Sequence, residues 1–215
     1  METVRKLLTE GLRALGSELG VGTADSLAPL FITYLQELKK WNRAYNLTAL
    51  ESDRDIITKH FLDSLLYLTF VPSGSGSLAD VGSGAGFPGV PLAIARPEKS
   101  VVLIEPSRKK TAFLKHLTRT LSLGNVEVVG ARIEEMRDRL FDVVVTRALF
   151  SIGDFVGKAG HAVKKNGYLV ASKGPKLSEE LQDLPAAARC EVRTVPLPLT
   201  SLERHLVKIV LNAPS

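Results

Sequence analysis

The run Asp80-Val81-Gly82-Ser83-Gly84-Ala85-Gly86-Phe87-Pro88-Gly89 is the stretch whose residue types and spacing can do chemistry. A short strand-like segment, Ser77-Leu78-Ala79, leads into it, and Val90-Pro91-Leu92-Ala93-Ile94-Ala95 reads as a short helix after it. Glycine lets a ligand approach bare backbone, and a helix start offers unpaired N–H groups to an anionic ligand group. In a plain surface turn, glycines packed this closely would only add conformational entropy to be lost on folding. Strand, glycine loop and helix therefore open a nucleotide-type pocket.

Two cofactor classes compete for that pocket. Gly84-Ala85-Gly86-Phe87-Pro88-Gly89 satisfies the dinucleotide pattern G-x-G-x-x-G. Against a dinucleotide, Pro88 stands where the following helix would pack on its strand, and the loop sits behind a long helical stretch instead of opening the fold. Asp80 favours a cationic ligand: S-adenosylmethionine carries an ammonium and a sulfonium, and a carboxylate at the strand end opposes both charges. A phosphate-hydrolysing P-loop is excluded, because no Lys-Ser or Lys-Thr follows the glycines. Gly82, Gly84 and Gly86 then form the cradle. Glu105 ends the next strand, where a carboxylate can take both hydroxyls of a ribose; its plainer role is to cap the helix that starts near Ser107. At the end of the third strand, Ala131-Arg132-Ile133-Glu134 can lay Ile133 on an adenine while Glu134 or a nearby backbone group meets the exocyclic amine. Ligands of open α/β sheets gather outside the carboxyl ends of strands, and each of these positions is such an end.

The elements that must position these residues follow from periodicity. Helical spacing of apolar residues predicts amphipathic helices over 2–19, 25–41 and 53–70. Residues 1–72 are thus expected to form a helical cap and 73–215 a Rossmann-like core, the two making one compact unit. Beyond the loop, short β-branched runs at 100–105, 125–129, 141–145 and 168–172 alternate with helical patterns at 107–121, 152–163 and 176–184. Runs at 190–195 and 205–211 close the chain, joined through Pro196-Leu197-Pro198. The expected fold class is α/β, with a seven-stranded, mostly parallel sheet ending in a hairpin.

The chain has 215 residues, a formal net charge of +5 and a single cysteine. Its field favours polyanions, nucleic acid first among them. The lone Cys190 excludes an intramolecular disulfide and a cysteine-based zinc cluster, and it is expected to be a small buried residue. The chain starts in charge-interrupted helix, and no later run reaches membrane-spanning length, so the cytoplasm is expected and a membrane is not. His60 and Asp63 are three apart on one helix, hence neighbours. No third metal ligand is evident beside them, so metal binding is not expected, and a contact with the Asn46-Leu47-Thr48 turn is the alternative. Arg147 leaves the carboxyl end of the fourth strand, where it can steady a cofactor or a phosphate, or merely pair with a surface acid. Arg132 and Arg204 are candidates for phosphate or guanine O6 contacts. Trp41 can stack on a base, but on an amphipathic helix it fits a core role better.

Trp41-Asn42-Arg43-Ala44-Tyr45-Asn46-Leu47-Thr48, His60-Phe61-Leu62-Asp63-Ser64-Leu65, the glycine loop with Phe87-Pro88-Gly89, and Thr146-Arg147-Ala148 together carry a resemblance. The chain is similar to the bacterial guanine-N7 methyltransferases of small-subunit ribosomal RNA, the glucose-inhibited division protein B family. The likeness extends as far as Glu203-Arg204-His205-Leu206. It implies a class I S-adenosylmethionine-dependent methyltransferase fold, S-adenosyl-L-methionine as donor, and N7 of one guanine in a decoding-region loop of 16S rRNA as acceptor. The RNA partner would be naked 16S rRNA, the 30S subunit or an assembly intermediate, met by a monomer. By motif, Gly82, Phe87, Ile133, Glu134 and Arg147 would contact the cofactor or line its pocket. Glu105 is followed by Pro106, which makes the ribose contact the loosest transfer. No residue stands out as a base; His60, Asp63 and Arg147 are positioning candidates. Two rivals stay open: an NAD(P)-dependent oxidoreductase, and a non-catalytic ribosome-assembly factor that has kept the fold.

Basic residues cluster at Lys39, Lys40 and Arg43, at Arg108, Lys109, Lys110, Lys115 and Arg119, and at Lys164, Lys165, Lys173 and Lys176. Arg108, Lys109, Arg132, Lys173 and Arg204 are the expected RNA contacts among them. Counterion release then predicts that affinity for ribosomal RNA falls at least about tenfold between roughly 50 and 200 mM salt. Filter binding checks this, and an affinity flat in salt contradicts it.

Overall fold

Strand β1 (Gly76–Val81) sends Leu78 to one face of a sheet and Ala79 and Val81 to the other, and all three are buried. Its neighbours β2 (Lys99–Ile104) and β4 (Phe141–Arg147) alternate in the same way, with Val101, Leu103, Val143 and Val145 facing the first side and Val102, Ile104 and Val144 the second. Period-two alternation with both faces apolar needs helices on both sides of a parallel sheet. That is the arrangement found. The computed structural model of the chain describes residues 2–19, 23–147, 150–174, 177–185 and 188–211. With β3 (Val126–Val129), β5 (Val163–Lys173), β6 (Ala188–Pro196) and β7 (Glu203–Leu211), the described residues form a seven-stranded sheet in the order β3-β2-β1-β4-β5-β7-β6. All pairings are parallel except those of β7 with β5 and β6. The chain steps outward from β1 to β3 and then returns to the other side of β1 as β4. The glycine loop leaves β1 at this switch, where open α/β sheets bind ligands.

One face carries the cap. Helices α1 (Glu2–Leu19) and α2 (Ala24–Tyr45) are followed by α3 (Asp53–Ile56), a π-helical turn (Ile57–Leu62), α4 (Asp63–Leu65) and a 3₁₀ turn (Leu66–Thr69). Helix α5 (Gly89–Ala95) follows the glycine loop and α6 (Arg108–Thr120) follows β2 on the same side. Leu8, Phe31, Tyr34 and Phe61 from the first seventy residues share a single apolar cluster with Leu103, Phe113 and Val145 from the sheet side. Helix α7 (Ile152–Ala159) and α8 (Leu177–Glu180) cover the opposite face, their Phe155 and Leu177 sharing an apolar cluster with Val102 and Val144.

Several boundaries differ from the periodicity. Helix α2 runs on to Tyr45 because Asn46 takes a left-handed conformation, φ 49°, and its N–H bonds the Asn42 carbonyl as a C-cap. The single helix expected over 53–70 is broken by the π turn. β5 begins at Val163, where helix was expected. Cys190, expected inside, is exposed, because β6 is the sheet's edge strand with one side to solvent. Trp41 packs among Tyr45, Phe113 and His116. Ala148 and Lys176 lie outside the described residues.

Two tyrosines tie the cap to the sheet. Tyr34 Oη donates to the Ala85 carbonyl at 2.5 Å, and Tyr67 Oη donates to Thr146 O at 2.6 Å while accepting from Ser172 N at 3.0 Å. Gly86 makes the first contact possible: with φ 99°, a Cβ there would come within 2.6 Å of Tyr34 Oη. Tyr34→Phe leaves the Ala85 carbonyl buried without its donor, a loss of about 1–3 kcal/mol. Scanning calorimetry should show the midpoint lowered by several degrees, and an unchanged midpoint would contradict this account of the cap.

Candidate active site

The site begins where β1 ends. Asp80 falls on the face of Leu78, beneath α5, and is fully buried. Its Oδ2 accepts the Gly89 N–H at 2.9 Å, and among the described residues its Oδ1 has no hydrogen-bond partner. Burial pushes this carboxyl up to about 7, opposed by the Gly89 bond. Gly89 permits the approach, since a Cβ there would overlap Leu103 and the Asp80 carboxylate. Asp80 was expected to face the ligand; it instead holds the loop from below, for alternation turns it under the helix. Glu105 is also buried and spans the loop and the next helix: Oε2 accepts from Gly84 N and Oε1 from Ser107 N, each at 2.9 Å. It thereby ties the loop to the start of the next helix, and among the described residues neither it nor Asp80 lines either of the two cavities beside the loop. Gly86 likewise faces Tyr34 and not a ligand space.

Two cavities flank the loop, with Gly82 in the wall of both. The smaller, about 240 Å³, lies between Val81, Ile104, Arg132, Ile133 and Glu134. Glu134 pairs there with Lys158 at 2.9 Å, which holds its carboxyl below the usual range. Phe150 also reaches this cavity. The larger, about 550 Å³, has Gly84, Ala85 and Phe87 on one side and His60, Asp63, Arg147 and Arg204 on the other, with Lys59 and Lys173.

Arg147, at the end of β4, organises the larger cavity. In an α-helix Asp63 N–H would bond Lys59 O; in the π turn it bonds Thr58 O and His60 O. The Lys59 carbonyl is thereby left to Arg147 Nη1 at 3.0 Å. Arg147 Nη2 donates to His60 Nδ1 at 2.9 Å, and the guanidinium lies 5.0 Å from the Phe87 ring centroid. Asp63 Oδ2 is 3.6 Å from Arg147, while Oδ1 accepts from Arg204 Nε at 3.0 Å. Burial raises the Asp63 carboxyl, and the two arginines oppose that rise. Since a guanidinium only donates, His60 Nδ1 is the acceptor and Nε2 carries the proton, 2.7 Å from Thr48 Oγ1. Burial and the Arg147 charge push the His60 imidazole down to about 3. Its ring stacks on Phe87 at 4.3 Å.

A sequence profile described as rRNA small subunit methyltransferase G matches residues 28–207. The chain belongs to this family. It is 41% identical over 205 residues to the ribosomal RNA small subunit methyltransferase G of Nitrosococcus oceani, covering 94% of this chain and 93% of that one. Among solved structures, a methyltransferase from Pyrococcus furiosus shares the fold with a TM-score of 0.60 at 12% identity, over 83% of this chain and 95% of that one. So does M. jannaschii TYW2, solved in complex with AdoMet, with a TM-score of 0.50 at 18% identity over 65% of this chain and 70% of that one. Membership of a methyltransferase family leaves the oxidoreductase alternative without footing.

Within the family's matched span the structure sorts the expected residues. Gly82, Gly84, Phe87 and Arg147 meet at the larger cavity and Ile133 and Glu134 at the smaller. Of the expected RNA cations, Arg108 and Lys109 are exposed at the start of α6 and Arg132 is exposed beside the smaller cavity. The other two are engaged by acids of the protein. Lys173, at the end of β5, is buried, bonded to the Phe150 carbonyl and 2.7 Å from Glu180, and Arg204, half-buried at the start of β7, is held by Asp63. The contact of His60 with the 46–48 turn is the one weighed beforehand. Tyr34, Tyr67 and Lys158 carried no signal in the sequence that set them apart from other aromatics and lysines. For His60, the unfolded chain takes up a proton from about pH 6.5, but the folded chain not until about 3. Acid therefore lowers stability across that window. Imidazole ¹⁵N NMR should show a neutral Nε2–H tautomer for His60 at about pH 5, and an imidazolium there would overturn the arrangement.

Proposed function

We propose that the chain transfers a methyl group from S-adenosylmethionine to N7 of a guanine in an unpaired decoding-region loop of 16S ribosomal RNA, in the cytoplasm. The observation that carries this reading is the bare glycine loop at the switch of the sheet, which divides a small cavity from a large arginine-lined one. The names of the family and of its relatives support the RNA substrate. In the smaller cavity Ile133 would lie against the adenine, with Glu134 or adjacent backbone at its amine. Each Glu105 oxygen keeps a second lone pair for a ribose hydroxyl. Gly82 and Gly84 leave room at the centre, while Phe87 and Arg147 bound the larger cavity. The orphaned Asp80 Oδ1 suits a cationic ligand above the loop, since a nearby positive charge holds a buried carboxyl ionised.

Bound S-adenosylmethionine supplies a methyl group already activated by its positive sulfur. Guanine N7 presents a lone pair and no proton, so no general base is required. His60 is not free to be one: its Nδ1 is occupied by Arg147 and its Nε2–H points at Thr48. The residues' work is positioning and electrostatics. Asp63 offers negative charge towards a purine that becomes cationic, and the outer donors of Arg204 and Arg147 are placed for guanine O6 or a phosphate. Since N7 lies in the deep, narrow groove of A-form RNA, the target base must come from a loop or be turned out of its stack. Arg108, Lys109 and Arg132 would meet phosphates outside, and Lys173 acts within the cavity wall.

The test incubates the protein with labelled donor and 30S subunits lacking the modification. Label should appear in one nucleotide as 7-methylguanosine. Gly82→Val should abolish calorimetric titration with S-adenosylhomocysteine while circular dichroism stays native. Label at another atom, or full binding by that variant, would refute the assignment.

A further inference from the structure

A further cavity opens on the helical cap next to the larger one just described. It encloses about 430 Å³, and Thr48 and Leu50 belong to the walls of both, so only the 47–50 loop separates them. The half-buried Leu50 gives it apolar surface, with the buried Leu38 and Ile56 behind, while Arg43, Asn46 and Glu51 bring a cation, an amide and a carboxylate. These three side chains are exposed and, among the described residues, make no ion pair or side-chain hydrogen bond. The nearby Lys39 is already engaged by Asp53 at 2.5 Å, which leaves Arg43 as an unpaired charge of this cavity.

The dividing loop is built in advance. Asn42 Nδ2 donates to Thr48 O at 3.0 Å and Asn42 Oδ1 accepts from Thr48 N at 2.9 Å. Thr48 Oγ1 in turn meets His60 and accepts the Leu50 N–H at 3.1 Å. Lys39 and Arg43 also wall another cavity, about 300 Å³, against Lys40 and α1. The three cavities therefore lie side by side from the larger one across the cap. Apolar surface for a base face, an amide and a carboxylate for its polar edge, and a free guanidinium for a phosphate are what an unpaired nucleotide needs. Its volume is that of a small-ligand site.

We propose that this cavity holds the nucleotide adjacent to the methylated guanine, so that the cap reads one neighbour of the target in a single-stranded segment. The inference rests on the methyl-transfer reading and adds a second subsite to it. It is tested with the full chain and unmodified 30S subunits, using Arg43→Gln and Asn46→Gly. Glycine keeps the left-handed C-cap while removing the amide. KM for the RNA should rise about fivefold or more in each, the scale of a lost specific contact. The turnover rate and the affinity for S-adenosylhomocysteine should stay at wild-type values. Arg43→Gln should also flatten the slope of log RNA affinity against log salt by about one. Arg189→Gln, on the exposed edge strand, removes a charge elsewhere and should change none of these. Unchanged KM in both variants, or an equal rise in the Arg189 variant, overturns the subsite. Filter binding separates the two readings. A wild-type chain that transfers no methyl, but whose RNA affinity drops on Arg43→Gln, refutes the enzymatic reading and with it the place beside a methylated guanine, while keeping the cavity as an RNA contact.

Discussion

An arginine taken out of water has to find an acceptor for each donor it loses, and Arg147 stands at the end of β4 where little water reaches. Its acceptors come from a single stretch of the cap: the Lys59 carbonyl, the His60 ring and the Asp63 carboxylate. No regular α-helix would leave that carbonyl available. The π turn does, because Asp63 N–H bonds elsewhere. His60 then has to be neutral, with its proton on the far nitrogen, and Thr48 has to sit where it can meet that proton. One guanidinium thus dictates a helical irregularity, a tautomer and the placement of a loop.

The same constraint explains why the cap cannot be treated as an accessory. The glycine loop is short of side chains and cannot hold its own shape; its carbonyls need donors from outside. Tyr34 supplies one to Ala85, and Glu105 and Asp80 take the N–H groups of Gly84 and Gly89. The loop is therefore clamped from the cap above and from two strand ends below. The apolar cluster that surrounds Tyr34 runs without a break from α1 to β4. Shape at the two cavities beside the loop is set by packing contributed from both halves of the chain.

Charge shows a different division of labour. The net positive field marks the molecule as a partner of polyanions, but individual cations differ by environment. Arg108, Lys109 and Arg43 remain in solvent, whereas Lys173 and Arg204 are committed to Glu180 and Asp63. Paired and partly desolvated, the latter two act as fixed parts of a wall. Two carboxylates near the loop, Asp80 and Glu105, are likewise engaged by backbone N–H groups.

Alternation, helical spacing and the glycine run were enough to predict a mostly parallel α/β sheet with helices ahead of it. Those features are local: a period of two, a period of 3.6 and a loop of bare backbone are each written within a few residues. The family likeness was local too, carried by motifs of a few residues each. Which way Asp80 points, which cations are paired, and that Tyr34, Tyr67 and Lys158 matter were decided only by tertiary structure. Each depends on a partner far away in the chain: 51 positions for Tyr34 and Ala85, 141 for Asp63 and Arg204. A residue's type limits the bonds it can make, but whether it makes them with protein, solvent or ligand is settled when distant segments pack and remove the water between them.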